Sequence, residues 1–242
     1  MSTLIGNGVA IVLAAGKGTR MNSKVQKQYL EILGKPVLYY SLAAFEASPL
    51  IKEIILVVGE EQMEYCRQEV VEKYSFKKIT KLVPGGHERY ASVHNGLVAL
   101  SDSDAEYVFI HDGARPFVNE AIIERAYNAV AEHKACVVGV PSKDTIKVVD
   151  DNGVVVETPE RKYLWQVQTP QVFEYQMIRE AYAELMKMED IRVTDDAMVL
   201  ETVKGIPVHM VEGSYENIKI TTPEDLVVAE AFMSAGKKLE KI

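Results

Sequence analysis

The chain has 242 residues, 48% hydrophobic and 26% charged, enough for one α/β domain to bury roughly 70–75% of its unfolded surface without disulfides or metals. Its 27 Lys and Arg against 35 Asp and Glu give a net charge of −8, which argues against a coat for nucleic acid or an anionic membrane and requires any phosphate site to be a local cationic cluster. No apolar run reaches the ~18 residues that span a bilayer, residues 1–8 lack a signal pattern, and Cys66 and Cys136 have neither metal nor redox spacing, so the expectation is a cytoplasmic protein with two reduced, buried thiols.

The first predicted strand, residues 9–13, is a continuous apolar run that continues into Ala14-Ala15-Gly16-Lys17-Gly18-Thr19-Arg20-Met21, with Lys27 just beyond. Small residues and glycines let backbone N–H groups approach a ligand, and nearby cations favour a polyphosphate. A P-loop needs four residues between its glycines, whereas Lys17 alone separates Gly16 and Gly18. A dinucleotide fingerprint needs a small residue where Met21 stands and an acid about 20 residues on, and Glu60 and Glu61 come far too late. Hydride-transfer cofactors are thereby disfavoured.

Helical patterns follow at 37–46, 62–73, 89–100 and 119–132, alternating with strands at 53–58, 79–83, 107–111 and 135–140. This alternation predicts an α/β fold with a Rossmann-like, mostly parallel sheet covered by helices on both faces. Ligands in such sheets sit beyond the carboxyl ends of the strands, here the loops that start at Ala14, Gly59, Pro84, Asp112 and Pro141. After Pro141 the pattern becomes alternating over 145–149 and 154–158, about the turn Asp150-Asp151-Asn152-Gly153. This predicts a β-arm at about 141–163, and because a lone hairpin is marginal in water, a second subunit is its expected partner. Beyond it, 164–168 returns to the sheet, helices are expected at 175–188 and 195–203, strands at 207–211 and 217–220, and a last helix at 223–235 that starts on Thr221-Thr222-Pro223-Glu224. No linker, repeat or low-complexity stretch interrupts 1–242, which reads as a single domain.

Four further clusters fall at the predicted ligand edge. Pro84-Gly85-Gly86-His87-Glu88-Arg89 either cradles a base or ribose, with Ser92 adding a hydroxyl, or is a plain turn with Arg89 in solvent. In His111-Asp112-Gly113-Ala114-Arg115-Pro116, Asp112 suits hydroxyls or a metal, and Arg115 suits an anion or Asp112 itself. Arg161 and Trp165-Gln166-Val167-Gln168-Thr169-Pro170-Gln171 offer polar groups for a small hydroxylated ligand, although Arg161 alone also fits a solvated surface cation. Thr194 reads equally as a ligand or a helix cap, and Lys219 as a phosphate contact or a charge guarding a strand edge. Histidines 87, 94, 111, 133 and 209 make no metal spacing.

Together the runs LAAGKGTRM, QKQYLEI, GGHER, HDGARPF, VPSKDTIK, LWQVQTPQVF, TDD and EGSYENIKITTPEDL resemble the 2-C-methyl-D-erythritol 4-phosphate cytidylyltransferases, over residues 9–232 and in the same order. The ribitol-5-phosphate cytidylyltransferases share many of these motifs, but LAAGKGTRM and KVQKQYL side with the erythritol branch; a catalytically silent nucleotide-binding protein on the same fold is the other alternative, against which the presence of Arg20, Lys27, Arg161 and Lys219 weighs. The resemblance implies a nucleotidyltransferase-type fold and transfer of CMP from CTP to a sugar-alcohol phosphate with release of pyrophosphate. It implies that Arg20, Lys27 and Lys219 stabilise the transferring phosphate, and that Mg²⁺ is held mainly by the CTP phosphates. It also implies that Ala14, Ala15, Gly16, Gly18, Gly86, Ser92, Asp112 and Gly113 hold the nucleotide, while Asp112, Arg115, Thr145, Arg161, Thr194 and Lys219 hold the acceptor. Thr145 and Arg161 flank the arm, and the resemblance implies that they enter the site of a neighbouring subunit in a homodimer. Two positions depart from the family pattern: Gly113 stands where alanine is usual, and His87 where an acid is sometimes found.

Overall fold

A computed structural model describes residues 6–16, 26–100 and 104–239, with side chains as far as Ala235. Strand β1 (Gly8–Ala14) is followed by the small ribbon β2 (Glu31–Ile32) and β3 (Lys35–Pro36), then by helix α1 (Val37–Ala47) and β4 (Ile51–Val58). Next come α2 (Met63–Cys66), β5 (Ile79–Pro84), α3 (Arg89–Ala99), β6 (Tyr107–Asp112), α4 (Glu120–His133) and β7 (Ala135–Pro141). The hairpin strands β8 (Val148–Val149) and β9 (Val155–Glu157) precede β10 (Trp165–Glu174), α5 (Tyr175–Leu185), α6 (Asp196–Lys204), β11 (His209–Glu212) and α7 (Pro223–Leu239).

Seven strands hydrogen-bond in the order β11-β7-β10-β6-β1-β4-β5. Every neighbouring pair is parallel except those of β10, which runs antiparallel to β6 and β7. Alternate residues of β1 feed the two cores. Ala10 and Val12 pack with Leu38, Leu42 and Phe45 of α1 and Ile122 and Ile123 of α4. Val9 and Ile11 pack with Val93 and Leu97 of α3 and Ile178 of α5. Both faces of the sheet are therefore dry, which is why its strands read as unbroken apolar runs. From β1 the chain steps to β4 and β5 on one side and then crosses to β6 on the other. β1 is thus the topological switch point, and the crevice opens where the loops after β1 and β6 part.

Four predicted elements differ from those observed. Residues 217–220 form no strand; the segment attaches to the loop after β6 by one backbone bond, Ile220 N–H to Ala114 O at 2.8 Å. The return strand runs on past 168 to Glu174, because β10 absorbs Pro170 in a register break between Val167 and Gln171, where no ladder N–H is required. The helix expected over 62–73 is the short α2 widening into π-helix over Arg67–Glu72. In the hairpin, only Val148 and Val149 pair, with Glu157 and Val155. Its turn is organised by Asp150, whose carboxylate accepts the N–H groups of Asn152 and Val154 at 2.9 Å each.

Candidate functional site

The carboxyl ends of β1 and β6 lie side by side, with Leu13 opposite Asp112 and the Gly113 N–H donating to Leu13 O at 2.9 Å. A side chain at Gly113 would press on Leu38 and on that carbonyl, so glycine allows the β6 loop to lie flat against β1. The end of β5 is drawn in by Gly85 N–H, which donates to Val58 O at 2.8 Å. A Cβ at Gly85 would overlap Ala15, so this turn rests directly on the β1 loop. Ser92 locks the turn: its hydroxyl accepts the Gly86 N–H at 3.0 Å and donates to Glu88 O at 3.1 Å.

These loops enclose a cavity of about 660 Å³ that Ala14, Ala15, Gly16, Lys27, Gly86, Ser92, Asp112 and Lys219 all line. Gln28 lines it too and sets the shape of the β1 loop, since its buried side-chain amide donates to Ala14 O at 2.6 Å and to Gly16 O at 3.3 Å. Nothing in its spacing singled it out. Gly18 and Arg20 lie outside the described residues. Gly113 does not line the cavity, and its backbone groups are engaged by Leu13 and by the Ser41 hydroxyl.

A second cavity of about 300 Å³ adjoins it, lined by Arg115, Gln168, Thr169, Gln171, Thr194 and Asp195 together with Arg89, Asp112 and Lys219 from the shared wall. Arg115 donates to Asn217 O at 2.9 Å, and the buried Asn217 amide donates to Thr169 O at 3.0 Å. These bonds hold the segment that carries Lys219 against β10 without a ladder. Thr145 and Arg161 join neither cavity. Both are exposed, and Arg161 donates to Lys143 O at 3.0 Å. Thr194 does not cap α6; Asp195 does, accepting the Met198 N–H at 2.9 Å.

Asp112 is the electrostatic centre. Lys219 Nζ stands 2.8 Å from its carboxylate, Arg89 Nε 3.3 Å and Arg115 Nε 3.9 Å. Burial pushes this carboxyl up, but Arg89, Lys219 and Arg115 outweigh it and hold it well below the usual range. Arg89 is half-buried and ion-paired rather than freely solvated. Its two terminal nitrogens fork onto the wholly buried Asp196 at 2.8 and 2.7 Å, and Tyr182 Oη–H donates to the same carboxylate at 2.6 Å. Beneath Asp112, the buried His111 faces Arg115 O through Nε2 at 3.2 Å and Thr169 Oγ1 through Nδ1 at 3.0 Å. A carbonyl only accepts, so Nε2 carries the proton and Nδ1 takes the threonine hydroxyl, whose oxygen in turn accepts the Asp112 N–H at 3.1 Å. Burial pushes the His111 imidazole down to about 4 against the opposing pull of Asp112.

A site with one cavity walled by strand-end backbone, a second walled by polar side chains and cations at their junction suits two anionic ligands brought into contact. Residues 9–235 match the family model described as 2-C-methyl-D-erythritol 4-phosphate cytidylyltransferase. This chain belongs to that family. It is 51% identical over 224 residues to the 2-C-methyl-D-erythritol 4-phosphate cytidylyltransferase of Lachnoclostridium phytofermentans, covering 93% of this chain and 95% of the relative. To the enzyme of the same name from Caldanaerobacter subterraneus it is 52% identical, covering 94% and 99%. The crystal structure of 4-diphosphocytidyl-2C-methyl-D-erythritol synthase from Anaerococcus prevotii superimposes with a TM-score of 0.82 at 36% identity, covering 94% of this chain and 98% of that one. That of the Francisella tularensis cytidylyltransferase gives 0.77 at 32%, covering 93% and 98%. His87 lines the larger cavity, where its ring meets Tyr90 edge-on, with Nε2 3.2 Å from the phenol oxygen.

Proposed function

We propose that this member of the cytidylyltransferase family transfers CMP from CTP to 2-C-methyl-D-erythritol 4-phosphate, releasing pyrophosphate and forming the CDP-linked methylerythritol. The observation that carries this reading is the pair of cavities that share Asp112, Lys219 and Arg89 as a common wall. The larger cavity takes the nucleotide, with the backbone of Ala14–Gly16 against the phosphates and Gly86 and Ser92 near the base and ribose. The smaller takes the acceptor, with Arg115 on its phosphate and Thr194 and Asp112 on its hydroxyls. An acceptor phosphate oxygen forms a bond to the α-phosphorus as the bond to the bridging oxygen of the leaving pyrophosphate breaks. That nucleophile is already an anion, so no general base is required and the barrier is chiefly the repulsion between two anions. Lys27 clamps the triphosphate, a role that the resemblance gives to Arg20 as well, and Lys219 stands where both ligands reach it.

Mg²⁺ is the cofactor we assign, carried on the CTP phosphates. The donor set fits that assignment: the Asp112 carboxylate is met by Lys219, Arg89 and Arg115, which leaves the phosphate oxygens as the hard anionic ligands for the ion. When bound, the ion neutralises phosphate charge. Thr145 and Arg161 complete the acceptor site from a second copy of the chain. Support comes from the hairpin, where Val148, Val149, Val154, Val155 and Val156 are 42–62% exposed, a surface that a marginal two-stranded ribbon keeps ordered by packing on something.

The test is pyrophosphate release by the purified protein with CTP and Mg²⁺, using methylerythritol phosphate and ribitol 5-phosphate as alternative acceptors. Release with methylerythritol phosphate is expected. Release with ribitol phosphate alone reassigns the acceptor, and silence with both overturns the activity.

A further inference from the structure

The three cations around Asp112 are not equivalent. Lys219 is the nearest at 2.8 Å, the most exposed at 36%, and is carried on a segment without ladder bonds. Arg115 is 3.9 Å away and turned toward Asn217 O. Arg89 is pinned, because both terminal nitrogens are committed to Asp196 while Nε points at Asp112 from 3.3 Å. Detaching a cation from a carboxylate that is only 12% exposed leaves a poorly solvated charge, and that cost is high unless another cation stays behind. A lysine whose charge is already matched by Asp112 attracts a phosphate less strongly than one released from it.

We infer that Arg89 is a positioning residue: anchored by Asp196 and Tyr182, it remains as the resident counter-ion of Asp112 and so frees Lys219 to move onto the nucleotide phosphates. Arginine suits this role because its planar head offers a fork to one carboxylate and a third N–H in another direction, whereas a lysine ammonium is a single point charge that serves one of the two. The inference rests on the function proposed above, since it takes the larger cavity as the CTP site.

The test is a double-mutant cycle on CTP affinity by calorimetry and on kcat, with R89K and D112N. Lysine at this position keeps Asp196 neutralised, so R89K is expected to fold. It should weaken CTP binding or slow kcat by about tenfold in the native background and by less than about twofold when Asp112→Asn has removed the carboxylate that traps Lys219. Equal losses in the two backgrounds overturn the inference. Should R89K melt early, the charge-balanced pair Arg89→Gln with Asp196→Asn takes its place, with the same expected losses and the same partial rescue. Native protein that binds CTP but releases no pyrophosphate with either acceptor overturns the proposed activity, while the cycle on CTP affinity still decides the role of Arg89.

Discussion

His111 places an imidazole where protonation is expensive. It is wholly buried, its Nδ1 is occupied as an acceptor, and a proton there would oppose the Thr169 hydroxyl that aligns the Asp112 backbone. The sign of the stability effect follows from its pKa, lowered from 6.5 to about 4 on folding. Between those values the unfolded chain binds a proton that the native state refuses, so the contribution is fully present above pH 6.5 and is lost as pH falls toward 4. Going from pH 7 to pH 5 should cost about 2 kcal/mol through this group alone. Urea midpoints for the native chain and for His111→Asn test this, and equal losses in both over that interval would refute it. The same neighbourhood marks the limit of what single residues disclose in the sequence. Gly86, Ser92, Lys27 and Lys219 stood out because small, hydroxylic or cationic residues followed strands or closed a motif. Tyr182 did not, and Asp196 and Gln28, although they lie inside the runs TDD and QKQYLEI, carried no assigned role, since their roles depend on partners brought together by the fold. Arg89 and Asp196 are 107 residues apart, and nothing local to either announces the pair.

At the scale of elements, the strands of the parallel core were legible because burial on both faces leaves apolar runs of unmistakable length. The ends of the chain's later elements were harder to read. Segment 217–220 has the composition of a strand but is held by Arg115 and Asn217 side-chain bonds, a tertiary arrangement that periodicity does not encode. The start of α6 shows the same limit on a smaller scale, since Thr194 and Asp195 are both good caps and only the geometry selects Asp195. Two devices secure this helix start: the Asp195 carboxylate accepts Met198 N–H, and Gln171 Oε1 accepts the N–H groups of Asp196 and Ala197 at 2.9 and 3.0 Å. Because Gln171 survives the change, Asp195→Ala should lower stability by only about 1 kcal/mol. It should also raise the acceptor KM more than the CTP KM, since Asp195 lines the smaller cavity and not the larger one. Denaturant melts and the two KM values check this, and an unchanged midpoint would remove the cap from the account.

At the scale of the whole molecule, the fold collects the ends of β1, β5 and β6 at one crevice, yet leaves Thr145 and Arg161 outside it on the root of an exposed hairpin. If those residues act in a neighbour's site, each site of a dimer combines Lys27 from one chain with Arg161 from the other. Lys27→Ala should lower kcat by ~10²-fold, as loss of a transition-state charge partner typically does, and Arg161→Ala should mainly weaken the acceptor. Mixing the two variants under conditions that exchange subunits then separates the geometries. In a hybrid dimer with shared sites, one site carries both lesions and the other carries neither, so activity returns to about half the native level per hybrid. If every site is built from one chain, each site of the hybrid keeps one lesion and mixing restores nothing. The same samples should sediment as dimers, and placing a charge in the apolar ribbon with Val155→Asp should dissociate them, because a carboxylate buried without a partner costs several kcal/mol. Loss of the dimer together with loss of the rescue would tie the ribbon to the shared site, whereas a Val155→Asp protein that stays dimeric and still complements would place the interface elsewhere.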